Sequence, residues 1–448
     1  MSGQHVVIVG GSYAGVTAAK ACAAAGLRVT VVEPKDRFDT TFGTVRAMVV
    51  DGFEDTLWFP FDRVFPAGSP SRFVRGWATG VDTSSNVLTF APVAGGAPVA
   101  LSFDYLILAC GTRNSCKWFS HSRAEYKAAL AATRKAIAAA PLVLVVGAGM
   151  VGVELAGEVK HAHPAKPVVL ASSGGVLAHD AHAVPQFIAR ITKEVAAAGL
   201  DFRAGVRVGG LDALAAREDV EELSPGVFAA RGGAGATFPV AVGSATERVG
   251  VLIASTGQVP TTGWLAGGGL AGALDKRGFV TVGRTYQVAG QRAVFAVGDC
   301  AATAGGVSWE APTPAAPWAR RALIPPHYHH PPPLHTHTHT TAHTHTQEAK
   351  GAMRAEAQAH VAAANVIALA RGADAGALKL GPNVAVAGPF AVVPVGPKHG
   401  AAQLPGFCGK NIVSFMAKIK GKDYLAGMLG KKYTGFSLKE AVAANVQP

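Results

Sequence analysis

At 448 residues the chain is too long for one hydrophobic core and should divide into two or three domains. Apolar residues make up 49% and charged residues only 16%, which excludes a protein disordered over most of its length. The formal charge of +12 favours anionic surfaces, but no basic stripe interleaved with aromatics is present, so no nucleic acid partner is expected.

Five scattered cysteines without a C-x-x-C spacing fit free thiols in a reducing compartment. No run of about 18 apolar residues reads as a membrane span. The first strand starts near residue 5, leaving no room for a cleavable leader, and Ser2 in place of glycine fails the requirement for myristoylation. The expected location is therefore cytoplasmic, with peripheral membrane contact left open.

In chain order, residues 5–10 form an apolar run ending in Gly10, as a buried parallel strand does. An Ala-rich helix follows from Gly15 to Ala25, stopped by Gly26, and a second strand, Val29–Val32, ends on Glu33. Strand, glycine turn, helix, strand and terminal acid make a dinucleotide fingerprint, with Gly10 for the turn and Gly15 for close helix packing. Ser12 stands where the middle glycine is usual. Glu33, 23 residues after Gly10, is placed to accept hydrogen bonds from ribose hydroxyls.

Short strands are expected over 75–108. The cycle then repeats: strand 142–146, the glycines Gly147, Gly149 and Gly152, a helix Val153–Val159 and a strand Val168–Ala171. No acid ends this strand, which predicts weak NADH/NADPH discrimination, and no arginine sits next to its end to select NADPH. Two fingerprints imply two nucleotides, and electron transfer from a nicotinamide to a flavin is the chemistry that needs both. Strands are expected near 203–208, 226–230, 250–254 and 293–297, and a helix over Glu348–Ala370.

Residues 311–346 are rich in Pro, His and Thr and hold half of the 16 histidines. Such a stretch cannot bury a core, and alternating His-Thr lacks the fixed geometry of a metal site. Because CAC encodes His and ACA encodes Thr, a CA repeat translated from a retained intron would account for the alternation; a spliced message carrying these codons in frame would count against it. No metal site is expected.

Three later motifs carry a family resemblance. Asp104–Thr112, with Gly111, resembles a strand ending in Ala-Thr-Gly, with Cys110 in the threonine place; Leu252–Pro260, with Gly257, is a second copy. Val294–Asp299 resembles the motif whose aspartate bonds a flavin ribityl chain. With these, the chain resembles the two-dinucleotide-binding flavoprotein reductases of the pyridine nucleotide-disulphide oxidoreductase superfamily. Within them it is most similar to the apoptosis-inducing-factor-like ferroptosis suppressors. Local matches are Thr44–Ala47, Gly152–Glu158, Gly298–Ala301, Lys350, Ala355–Ala359 with Ala364-Asn365, and a tail over Gly396–Leu404 and Lys420–Tyr424.

The resemblance implies an α/β fold with two Rossmann-like dinucleotide-binding domains, the FAD domain being interrupted by the NAD(P) domain, plus a C-terminal α+β segment. The expected boundaries are 1–118 and 285–372 for FAD, 119–284 for NAD(P)H, and 373–448 for the last segment. It implies FAD-dependent oxidation of NADH or NADPH, with a quinone or similar small molecule as acceptor. Cofactor-binding roles are implied for Gly10, Ser12, Ala14, Gly15, Glu33, Arg46, Gly111, Asp299, Gly147, Gly149, Gly152 and Gly257, and catalytic roles for Glu154 and Lys350.

A dithiol reductase would need a cysteine pair within about 40–55, where there is none, and Cys110 and Cys116 lie at the wrong place and spacing. Monodehydroascorbate reductase, type II NADH dehydrogenase and a redox-gated binding protein of the apoptosis-inducing-factor type stay open. So does a homodimer. Ile412–Lys432, apolar with interspersed lysines, reads equally as a membrane-docking element or as a packing helix or hairpin.

Overall fold

The computed structural model describes residues 3–114, 122–178, 180, 183–303, 352–381, 391–404, 407–408 and 424–446. Strand β1 (His5–Val9) is buried along its whole length, and its β-branched Val and Ile favour extended backbone. Helix α1 (Tyr13–Ala24) carries the chain to β2 (Arg28–Glu33), parallel to β1. Next come β3 (Arg37–Asp39), the short helix α2 (Thr44–Ala47) and β4 (Trp58–Pro60), the two strands pairing antiparallel. The remaining strands are β5 (Arg72–Asp82), β6 (Val87–Pro92), β7 (Val99–Ser102), β8 (Tyr105–Leu108) and, far along the chain, β20 (Val294–Ala296). The seven-stranded sheet runs β20-β8-β1-β2-β5-β6-β7. Because β1 lies between β2 and β8, strand order reverses at its carboxyl end, which opens the crevice where such sheets take ligands.

Strand β9 (Thr112–Arg113) leads to helix α3 (Arg123–Ala139), whose N-cap Ser122 accepts the Glu125 amide at 3.2 Å. A second βαβ unit follows: β10 (Val143–Val146), α4 (Met150–Ala162) and β11 (Val168–Ala171). Helix α5 (Pro185–Ala197) leads on to β12 (Asp201–Arg203), β13 (Val220–Ser224), β14 (Val227–Ala230), the hairpin β15 (Phe238–Val242) and β16 (Ala245–Val249), and β17 (Val251–Ala254). Six of these strands form a sheet in the order β12-β11-β10-β17-β14-β13. The strand expected at 203–208 is instead Asp201–Arg203, because Gly205 turns the chain at φ +70°.

Strand β18 (Val259–Pro260) pairs antiparallel with β9, so the two connections between the sheets cross side by side. Strands β19 (Val280–Val282) and β21 (Ala301–Thr303) pair parallel beside the first sheet. Helix α6 is described from Ala352 to Ala370 and packs along α1.

The last segment touches both sheet units. The hairpin β22 (Ala391–Val395) and β23 (His399–Leu404), with β24 (Phe407–Cys408), lies on α4 and α5. A methyl group on Gly157 of α4 would sit 2.3 Å from the Gly396 amide nitrogen, so only glycine allows this approach. Helix α7 (Ala426–Thr434) covers β3 and β4, with Tyr433 stacked on Phe38 at 5.0 Å. Helix α8 (Leu438–Val446) follows, and Asn445 donates to the carbonyls of Asp55 and Trp58. Residues 424–432 of the lysine-bearing stretch thus belong to a packing element; residues 412–423 lie outside the described residues. Among the described residues no helix is long and apolar enough to cross a membrane.

Candidate functional site

The two glycine turns match feature by feature. Gly10 has φ +107° and Gly147 φ +104°, a region that glycine enters without steric cost. The Gly10 amide donates to Val32 O at 2.9 Å, and the Gly147 amide to Ala171 O at 2.7 Å. A methyl on Gly15 would lie 1.8 Å from the Gly10 carbonyl oxygen; one on Gly152 would lie 1.9 Å from that of Gly147. Ala109 O closes beneath Gly10, and Ser255 O beneath Gly147. Gly111 (φ +68°) and Gly257 (φ +72°) then bend the chain alike after each of those residues. Each turn leaves backbone N–H groups at a helix start, the arrangement that holds a pyrophosphate.

The middle position explains Ser12. Its backbone is extended (φ −95°, ψ −159°), like that of Gly149 (φ −72°, ψ 178°), and a methyl on Gly149 meets nothing within 4 Å. A small L side chain therefore fits there without strain.

In the first seat Glu33 has a role that its spacing did not reveal. Its Oε2 accepts the Gly11 amide at 2.6 Å and its Oε1 the Lys35 amide at 3.1 Å, so it ties the end of β2 to the glycine turn. A carboxylate has about four acceptor sites, which leaves room for hydroxyl donors as well. Behind this seat, Thr112 Oγ1 donates to buried Asp299 at 3.4 Å. A methyl on Gly298 would lie 3.3 Å from the Ala14 Cβ and 3.5 Å from the Ala355 Cβ, and its amide donates to Gln358 Oε1 at 2.7 Å. The fold thus gathers Gly10, Ser12, Ala14, Gly15, Gly111 and Asp299 around one crevice, and the first turns of α6 abut it. Lys350, just before α6, lies outside the described residues, as do Cys116 and the insertion 311–346.

The second seat gathers Gly147, Gly149, Gly152 and Gly257, with Glu154 buried two residues past Gly152 on α4. The expectation of no arginine at the end of β11 needs correction. Sheet register puts Arg203 of β12 directly opposite Ala171. Its guanidinium is bound to Asp201 at 2.8 Å and to Glu247, so its charge is already matched by carboxylates.

Arg46, expected at a cofactor, is committed to a side-chain pair that sequence spacing did not reveal. Its Nε donates to Glu158 Oε2 at 3.0 Å and its Nη2 to Oε1 at 2.8 Å, a bidentate pair between α2 and α4 with both partners buried. Tyr424 donates its hydroxyl to Glu158 Oε1 at 2.8 Å and lays its ring 4.7 Å from the Arg46 guanidinium. Beside this cluster, Arg134 of α3 bonds Glu54 through both terminal nitrogens at 3.1 Å and donates to Ala47 O at 2.7 Å.

Two further groups went unforeseen. Cys110 meets Cys300; this contact, followed by burial, holds the Cys110 thiol well above the usual range. A thiol so disfavoured as thiolate is a poor nucleophile. Arg113, on the β9–β18 crossing, has a buried Nε without an acceptor among the described residues, and burial lowers its pKa. Among the described residues no three metal-ligating side chains cluster.

Comparison with known proteins agrees with this geometry. The family model described as pyridine nucleotide-disulphide oxidoreductase matches residues 4–322. Ferroptosis suppressor protein 1 is 29% identical in Mus musculus and 28% in Homo sapiens, each over 302 residues. These matches span 67% and 66% of this chain and 74% of each relative. Apoptosis-inducing factor homolog B of Dictyostelium discoideum is 31% identical over 175 residues, 36% of this chain and 40% of its own. Among solved structures, an NAD-dependent persulfide reductase from A. fulgidus superposes with TM-score 0.60 at 17% identity, over 92% of this chain and 66% of that one. A ferredoxin reductase from Rhodopseudomonas palustris gives 0.57 at 16%, over 87% and 79%. The chain belongs to the pyridine nucleotide-disulphide oxidoreductase family and is a pyridine nucleotide-dependent flavoprotein oxidoreductase.

Proposed function

We propose that this member of the pyridine nucleotide-disulphide oxidoreductase family oxidises NADH or NADPH through a permanently held FAD and delivers the electron pair to a quinone. The observation that carries the reading is the contrast between two seats of equal glycine geometry. The first is tied shut by Glu33 and backed by Asp299; the second ends without an acid at Ser172. One suits a resident nucleotide and the other a visitor.

The residues fit FAD: a methyl would fill the turn at Gly10 and Gly15, and a buried carboxylate, Asp299, lies behind it on Thr112. In this reading the amides after Gly10 hold the pyrophosphate, Glu33 accepts from the adenosine ribose and Asp299 from the ribityl chain. Residues 1–118 and 285–372 hold FAD and 119–284 the nicotinamide nucleotide, the halves joining at the β9–β18 crossing. The first described turn of α6 lies beside Gly298, with Ala355 3.5 Å from a methyl placed there, so the positive helix end would favour negative charge on a flavin held in this seat. A flavin held by Glu33, Asp299 and the Gly10 turn would supply two-electron redox chemistry between the nicotinamide nucleotide and the acceptor. Glu154 orients the nicotinamide at the junction.

Because Arg203 is already matched by Asp201 and Glu247, it exerts little pull on a 2′-phosphate. NADH and NADPH should then serve within roughly tenfold of each other. The quinone is the acceptor that the sequence resemblance to the ferroptosis suppressors implies. The test is steady-state oxidation of NADH and NADPH with a quinone panel, ascorbate radical and oxygen. Quinone turnover well above the others is expected. Preference for ascorbate radical, or one reduction without turnover, would replace this reading by a monodehydroascorbate reductase or a redox-gated binding protein.

A further inference from the structure

Three stretches of chain meet at Glu158. Arg46 reaches it from α2 beside the first seat, Glu158 itself lies on α4 of the second, and Tyr424 arrives from the C-terminal segment, 266 residues away in sequence. We propose that Tyr424 is a positioning residue for hydride transfer: it fixes the Arg46–Glu158 pair and so sets α4, and Glu154 on it, against the bound nicotinamide. The proposal rests on the assignment of the Gly147 turn as the nicotinamide nucleotide seat.

Glu154 and Glu158 are four residues apart and so share one face of α4. One residue before Glu158, α4 is also held at Gly157, where the backbone of Val395 and Gly396 approaches it closely. The helix that carries Glu154 is therefore gripped twice, both times by the C-terminal segment. Tyr424 is fully buried, and it and Leu425 adopt φ of +53° and +61°. Non-glycine residues rarely take this left-handed conformation, and they persist in it where the surroundings over-determine them. Burial, and then the charges of Glu158 and Glu154, push the Tyr424 pKa well above its usual value. The hydroxyl thus stays protonated and remains a donor to Glu158. Its ring meanwhile covers the Arg46 guanidinium, so one side chain holds both partners of the ion pair.

Hydride transfer is sensitive to donor placement, since small misplacements in a bound geometry slow such reactions by up to roughly 100-fold. The holoprotein with Tyr424→Phe or Glu158→Gln should keep its flavin and its affinity for ADP-ribose, which has no nicotinamide ring. Anaerobic stopped-flow reduction by NADH should slow on the order of tenfold, with a larger isotope effect from NADH deuterated at the transferred position. The double variant should be no slower than Glu158→Gln alone, because both act through one unit. Tyr424→Phe removes a single oxygen and carries the test if Glu158→Gln does not fold. Reduction by NADH within about twofold of the unchanged protein would overturn the proposal. So would loss of ADP-ribose affinity in parallel with the rate, which marks general loosening. Failure of the unchanged protein to bind ADP-ribose would instead overturn the nucleotide assignment itself, and this proposal with it.

Discussion

Gly15→Ala is expected to give a protein that purifies colourless. The added methyl would lie 1.8 Å from the Gly10 carbonyl oxygen and 2.8 Å from its carbon, both backbone atoms that cannot swing aside. Either α1 lifts off β1 or the glycine turn opens, and each displaces the N–H groups that would cradle the pyrophosphate. Overpacking of this kind costs about 1–3 kcal/mol in a core, sometimes more. The second seat has its own turn on its own sheet, so ADP-ribose binding should survive. The readout is flavin released per protein, with ADP-ribose affinity as the folding control. Full flavin occupancy in this variant would remove the Gly10 turn from the cofactor site.

Glu154→Ala should separate the two nucleotides in the opposite sense: flavin bound, NAD(P)H oxidation lost. Glu154 is buried on α4 two residues beyond Gly152, in a cluster already holding Glu158, Arg46 and Tyr424. It stands four residues before Glu158 on the same face of α4, in the first turns after the Gly147–Gly152 glycines, which places it where a bound nicotinamide nucleotide would meet the helix. Replacement by alanine should lower NAD(P)H-dependent flavin reduction by on the order of 100-fold, with flavin content unchanged. Turnover equal to that of the unchanged protein would take Glu154 out of the site and leave it an ordinary acid near a helix start.

The elements legible in the sequence were those whose signal is local. Apolar runs ending in glycine, at Val9-Gly10 and Val146-Gly147, marked strand and turn, and a helix follows each turn. Glu33 was legible as the acid at a strand end, but its bond to the Gly11 amide was not, since that depends on how the turn is folded back on β2. Arg203 illustrates sheet register: 32 residues separate it from Ala171 in the chain, yet parallel pairing makes them neighbours. Arg46, Glu158 and Tyr424 come from three distant segments, and no periodicity links them. Cys110 and Cys300 likewise meet only because β20 lies beside β8. Local pattern identifies the seats; what joins them is long-range packing.

The central claim is a resident flavin reduced by a visiting nicotinamide nucleotide, and anaerobic titration of the exhaustively dialysed protein tests it most directly. The account predicts that the protein stays yellow through dialysis. One equivalent of NADH or NADPH per flavin should then bleach its visible band completely. Loss of the flavin on dialysis, or a band unmoved by an excess of either nucleotide, would contradict it.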